Sequence, residues 1–322
     1  MKTIFLLVAI ALSPWSFAQF DGAAGTPGSL AIHKDSSAII AWANNCQVNR
    51  GWMDISNKSL GLASNGQDGF GAGEADGMSV VSLGDSGVAT LAFNPSIANG
   101  PGPDFAVFEN SFSANFLELA FVEVSSNGID FFRFPATSNY STDTQIGPFD
   151  DLSDPTLLNN LAGKYRGLFG TPFDLSELDT IQGLDITQIT HVRIVDVVGS
   201  IDPSYGSEDI NGNLINDPYP TDFPAGGFDL DGVGVIHQGP LSSGIQELPS
   251  FSMYPNPLSQ GKTLQIESEE PIESITIFTI SGTKVFDGNQ DELVKAQLSN
   301  GAYIIYVNTE SKTWVNKLIV EK

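Results

Sequence analysis

The 322-residue chain reads as all-β, two antiparallel sandwiches in tandem, and three observations predict this. Short runs of β-branched and aromatic residues recur between clusters of Gly, Asn, Asp and Pro, which is how sandwich strands and their turns are spaced. Helical periodicity is scarce. The segment QGPLSSGIQELPS at 238–250 is rich in Gly, Pro and Ser without apolar periodicity, and it divides the chain as a linker.

At the N-terminus Met1-Lys2 is followed by the apolar run Ile4 to Leu12 and by Ser16-Phe17-Ala18. That order predicts a signal peptide over 1–18, cut after Ala18, and the run is too short for a permanent membrane span. Over 19–237 the strand candidates are Val80 to Leu83, Val88 to Phe93, Phe105 to Phe108, Leu117 to Ser125, Ile129 to Phe134, Val192 to Val198 and Phe228 to Ile236. Asn127-Gly128 predicts a tight hairpin because both residues tolerate positive φ. The stretch Asp151 to Leu184 interrupts the pattern as a long insertion, with short helices expected over Leu157 to Leu161 and Ser176 to Leu178. Over 251–322, Ile275, Ile277, Val285, Ile304, Tyr306 and Val307 mark strands, and Ser281-Gly282 and Asn300-Gly301 mark turns.

Lys and Arg number 14 against 38 Asp and Glu, a formal charge of -24. The acidity sits in the first domain, with seven basic and 29 acidic residues over 19–247 against six and nine over 248–322. Phosphate binding needs the opposite sign, so nucleic acid is excluded as a partner. Acidity of this degree suits either a solvated surface or oxygen-ligand sites for divalent cations. Cys46 stands alone, so no intramolecular disulfide forms, and it reads as a small half-buried residue.

Tyr254-Pro255-Asn256-Pro257 opens a segment that continues through Ile275-Thr276-Ile277-Phe278, Ser281-Gly282-Thr283-Lys284-Val285 and Leu298-Ser299-Asn300-Gly301-Ala302-Tyr303-Ile304, ending in Lys317-Leu318-Ile319-Val320-Glu321-Lys322. This resembles the type A sorting domain of type IX secretion substrates. The resemblance implies a small Ig-like β-sandwich read by the outer-membrane export machinery and removed as the passenger is attached to the surface or released. Tyr254, Pro255, Asn256, Pro257, Gly282, Gly301, Tyr303 and Lys317 then belong to the sorting signal.

In the first domain Ala75-Asp76-Gly77 with Ser79 to Gly87 and Thr90 to Phe93 resembles the opening strands of discoidin-like, galactose-binding-like jelly rolls. Val122 to Gly128 is similar to their middle hairpin, and Val192 to Asp196 with Gly227 to Val233 to their closing strands. The run NGPGPDFAVFEN at 99–110 resembles a group of bacterial cell-surface proteins. The expected fold is therefore a jelly-roll β-sandwich with a long inserted segment, followed by the Ig-like sandwich.

A structural calcium ion is expected from the carboxylates. Asp196 shares a strand face with Val192 and Ile194, and a carboxylate facing a core needs a cation or dedicated donors. Asp229 and Asp231 lie two apart and share a face, aimed at one ion or at solvent. In Asp209-Ile-Asn211-Gly-Asn213-Leu-Ile215-Asn-Asp217, oxygen ligands fall at positions one, three, five and nine, with the Ile215 carbonyl at seven. Leu214 replaces the turn glycine and Pro220 the bidentate Glu, so the alternative is a turn stabilised by Asx hydrogen bonds.

No catalytic residue is assigned. His33, His191 and His237 are far apart and lack metal-ligand spacing, and no GxSxG, P-loop or Rossmann pattern is present. Paired carboxylates for glycoside hydrolysis exist among Glu109, Glu118 and Glu123, although Glu118 and Glu123 fall on opposite faces of one strand. The favoured reading is a secreted, surface-attached binding protein for a glycan or a small nutrient such as a corrinoid, passed on to an outer-membrane transporter. Candidate contact aromatics are Trp42, Trp52, Tyr140, Tyr165, Tyr205 and Tyr219. The alternatives are an adhesive or structural surface protein and a glycan-active hydrolase.

Overall fold

A computed structural model describes residues 20–239, 252–259, 262–268, 270–293, 298–309 and 313–321. The expected signal peptide and nearly all of the expected linker lie outside these residues. The chain divides into two compact units, Met1–Leu241 and Ser242–Lys322.

In chain order the strands of the first unit are β1 (Ile32–His33), β2 (Ala41–Trp42), β3 (Asn45–Asn49), β4 (Val81–Ser82), β5 (Val88–Ile97), β6 (Phe105–Glu109), β7 (Ala120–Ser125), β8 (Phe132–Arg133), β9 (Thr137–Ser138), β10 (Leu158–Asn159), β11 (Phe169–Phe173), β12 (Ile189–Asp196) and β13 (Asp229–Val235). One sheet is ordered β1-β11-β6-β13-β2, with β4 also on β13, and the other β3-β5-β12-β7-β8. The longer strands β5, β6 and β7, and again β11, β12 and β13, alternate between the sheets. That alternation is the jelly-roll crossing pattern the sequence led us to expect.

Alternation along β5 sends Ala89, Leu91 and Phe93 inward, where they meet Val122, Val124, Val192 and Ile194 from the same sheet. Phe105, Val107, Val233 and Val235 close the core from the opposite sheet. Each such large side chain, taken fully out of water, contributes about 1.5–3 kcal/mol. Strands β6 and β13 are buried on both faces, because Ala75, Ile32, Ile39 and Trp42 cover the outward-facing Ala106 and Phe108. The inserted segment has its own task. Leu158 and Leu161 pack with Leu117, Leu119, Phe121, Val197 and Ile215 in a third cluster outside β7.

Two local expectations are corrected. Pro155–Leu157 is a 3₁₀ turn capped by the Asp154 carboxylate on the Thr156 N–H, and Leu158 then extends into β10 to reach the third cluster, so no helix forms over Leu157 to Leu161. The β7–β8 connection spans 126–131 and is wider than the tight turn expected at Asn127-Gly128. Asn127 Oδ1 accepts from the N–H groups of Ile129 and Asp130, and the Ser125 hydroxyl accepts from Gly128, whose φ is 75°.

In the second unit the strands are β14 (Ser252–Tyr254), β15 (Leu258–Ser259), β16 (Gln265–Glu267), β17 (Ile272–Thr279), β18 (Lys284–Gly288), β19 (Gly301–Thr309) and β20 (Thr313–Glu321). A five-stranded sheet, β15-β20-β19-β17-β18, faces the β14–β16 ribbon across a core of Ile266, Ile275, Ile277, Tyr303, Ile305, Val307 and Leu318. The Asn256 side chain clamps β20, donating to the Lys317 carbonyl at 2.7 Å and accepting from Ile319 N–H at 2.9 Å. Gly282 sits at φ 85° in the β17–β18 turn, and the Tyr303 hydroxyl donates to the Ser299 carbonyl. Tyr254 is exposed and its hydroxyl meets Glu267.

Candidate metal centre

Three apolar strands in the first unit carry a carboxylate at the same end of the sandwich. Glu109 closes β6, Asp196 closes β12 and Asp229 opens the antiparallel β13. Glu118, just before β7, and Asp217, from the β12–β13 connection, join them. All five are buried.

Their surroundings are negative. Burial pushes the Glu118 carboxyl well above the usual range, and the charges of Glu109, Asp229, Asp217 and Asp196 push it further. Glu109 is raised by burial and then by Asp229 and Asp217. Asp196 is raised by burial and then by Asp85, whose own carboxyl burial pushes up to about 6. Burial raises Asp229 to about 6 against the Ser82 hydroxyl and the Arg50 charge, which pull the other way. Arg50 spends its guanidinium on the carbonyls of Asn65, Gly66 and Ser82.

Donors reach only part of this cluster. Glu109 Oε2 accepts from Ser111 N–H at 2.7 Å, and Asp217 Oδ2 from Leu119 N–H at 2.9 Å. Glu109 Oε1 and Asp217 Oδ1 are buried with no hydrogen-bond partner, on side chains 1% and 5% exposed. An unmatched buried polar atom costs about 1–3 kcal/mol, more when charged. Oxygen donors in this density suit a hard cation such as calcium, which completes six to eight ligands with carbonyls and water. Among the described residues no three Asp, Glu, His or Cys side chains stand ready-made as a metal cage.

The residues expected to bind calcium are distributed differently. Asp209 Oδ1 accepts from Asn211 and Asn213 N–H, and Oδ2 from Ser138 N–H, which is the Asx-turn alternative. Ile215 is buried in the third cluster, and its N–H bonds the Ser207 carbonyl. Asp217 Oδ2 accepts from Leu119 N–H, and its charge bears on Glu109 and Glu118. Asp196 takes the other option named for it, dedicated donors: Oδ1 accepts from Phe228 N–H at 2.7 Å and Oδ2 from Ser86 N–H at 3.1 Å. Asp229 and Asp231 do not share a target. Asp229 meets the Ser82 hydroxyl, whereas Asp231 accepts from the N–H groups of Asp76 and Gly77, which explains the Ala-Asp-Gly motif as a turn held from β13.

Glu109 and Glu118 are the members sequence reasoning did not assign to metal. Glu109 shares the face of Phe105 and Val107 on β6, the same kind of signal as Asp196 on the face of Val192 and Ile194. Glu123 lies elsewhere, bonded to Arg133 and Arg193. Of the aromatics, Tyr165 is buried, Trp42 packs 5.1 Å from Phe108, and the Tyr219 hydroxyl donates to Asp54. Tyr205 remains exposed. Cys46 is buried and its thiol is pushed up to about 12, mainly by burial.

Residues 252–321 match the family described as the secretion system C-terminal sorting domain. The chain is a type IX secretion substrate, exported for attachment to the cell surface or for secretion. A solved structure with some likeness is PorZ, an essential bacterial surface component of the type-IX secretion system of Porphyromonas gingivalis. It is 17% identical over 29% of this chain and 14% of that chain, with a TM-score of 0.20. The chain thus spans about one seventh of that protein's length. No curated protein matches it.

Proposed function

We propose that the first unit is an extracellular ligand-binding jelly roll, related in architecture to discoidin-like domains and stabilised by calcium at the centre formed by Glu109, Glu118, Asp217 and Asp229. The observation that carries the metal reading is the pair of partnerless oxygens, Glu109 Oε1 and Asp217 Oδ1, inside a cluster of buried like charges. Isolated buried charges are too costly to leave unpaired, so protons or a cation must neutralise them. Outside the cell, where type IX export delivers the chain, calcium serves. The binding reading is supported by the insertion, which adds loops and a third apolar cluster beside the sandwich.

Metal analysis and calorimetry on the intact chain test this. Bound calcium and a melting temperature lowered by chelator are expected, by about 5–10 °C if free calcium stands at a hundred times Kd. A metal-free protein with an identical melt in calcium and chelator would refute the metal reading.

A further inference from the structure

The insertion also shapes a cleft, remote in chemistry from the acidic centre. It has a volume of about 250 Å³ and lies among Asp21, Asn160, Lys164, Tyr165, Thr171 and Glu177. Drug-sized ligands occupy roughly 300–1,000 Å³, so the space suits a smaller molecule.

Its polar groups are held in place and incompletely used. Lys164 is 3% exposed, unusual for a lysine, and its ammonium pairs with Asp21 Oδ1. Asp21 is itself fixed, accepting from Leu30 N–H and from the Tyr165 hydroxyl. One carboxylate oxygen engages one of the three ammonium donors, which leaves the others for a ligand. The Thr171 hydroxyl, on a residue 4% exposed in β11, is buried without a partner. Asn160 is held at φ 51°, with its amide donating to Glu177 Oε2 at 2.6 Å, so that its carbonyl oxygen is left to accept. Such backbone outliers persist where the surroundings over-determine them, often at binding sites.

Charge and shape narrow the ligand. The lining carries three carboxylates, Asp21, Asp174 and Glu177, against the one ammonium of Lys164, so an anion would be repelled. A hydroxyl both donates and accepts, and adjacent hydroxyls match a wall on which amine, amide, alcohol and carboxylate alternate. Pro103 and Pro172 add apolar rings to the same lining. We propose that this cleft binds one neutral sugar ring, free or at the end of a glycan, with its hydroxyls on Lys164, Thr171, Asn160 and Glu177. This rests on the ligand-binding reading and names its site and ligand class.

The test is titration of the intact chain with free neutral hexoses, pentoses and N-acetylhexosamines, and in parallel with oligosaccharides ending in each, for wild type, Thr171→Val and Glu177→Gln. At least one sugar is expected to bind, and Thr171→Val should weaken it about fivefold, the equivalent of one hydrogen bond, while the melting temperature holds or rises. Preference for the free sugar or for the glycan terminus identifies the source. Failure of every sugar to bind below about 10 mM would overturn the proposal, and if glycans of other chemistry still bound, the ligand-binding reading would survive it. Sugar binding unchanged in both variants would place the site elsewhere and overturn this assignment alone.

Discussion

In chelator, lowering the pH from 7 to 5 should make the first unit more stable, the reverse of ordinary acid denaturation. Asp85 and Asp229 are both pushed up to about 6 in the fold against an ordinary 3.8 for aspartate. The folded protein therefore holds their protons more tightly than the unfolded chain, and it gains stability as pH falls through 6. About 1 kcal/mol per group is gained between pH 7 and 5, and the full ~3 kcal/mol per group only below about pH 4. Together the two give about 2–3 kcal/mol by pH 5, or about 5–10 °C for a unit of this size. Glu109, Glu118, Asp196 and Asp217 shift in the same direction and add to the gain. Carboxylates held low, such as Asp76 under the Ser79 N–H, titrate below this window. Calorimetry in chelator at pH 7, 6 and 5 measures the slope, and the same series in calcium should flatten it, because protons then compete with the metal. A chelated protein that melts lower at pH 5 than at pH 7 would refute the reasoning.

Asp104→Ala should destabilise the first unit by about 3 kcal/mol in urea denaturation, because it strips an acceptor from Gly100 N–H, Leu175 N–H and His237 Nδ1 at 2.7–2.8 Å; a loss under about 1 kcal/mol would contradict that accounting. Deleting 252–322 in a host with a working type IX system should leave the chain in the periplasm, as read by cell fractionation, and surface display of the truncated chain would contradict the sorting role of that segment.

What could be read in advance followed the range of the interaction. The sorting domain was legible because its signals are contiguous: the Tyr254-Pro255-Asn256-Pro257 run, the Gly282 turn and the alternation of Ile275 and Ile277 each lie within a short stretch of chain. The strands β5, β6, β12 and β13 were legible for the same reason, since one sequence window holds each apolar run. Strand β3 was not. Asn45–Asn49 carries little apolar sequence, and only its pairing with β5 makes it a strand. At 209–217 local spacing left two readings, because a turn whose own N–H groups engage Asp209 has the same oxygen pattern as a calcium loop.

The acidic centre shows how far a single-window rule reaches. Asp196 was recognised as a core-facing carboxylate in need of partners, and β12 delivers it to two backbone N–H groups from loops at residues 86 and 228. Applied to FAVFE, the same rule flags Glu109, yet nothing nearby in sequence reveals that its neighbours are Asp217 and Asp229. Sheet pairing supplies that fact: β6 and β13 are antiparallel neighbours in one sheet, so the carboxylate closing β6 meets the one opening β13. Like charges gathered this way oppose folding unless something binds between them. The two oxygens left without donors, on Glu109 and Asp217, carry the metal proposal, and they lie on segments more than a hundred residues apart. A cation bound there would tie the β12–β13 connection, which carries Asp217, to strands β6 and β13 of the central sheet.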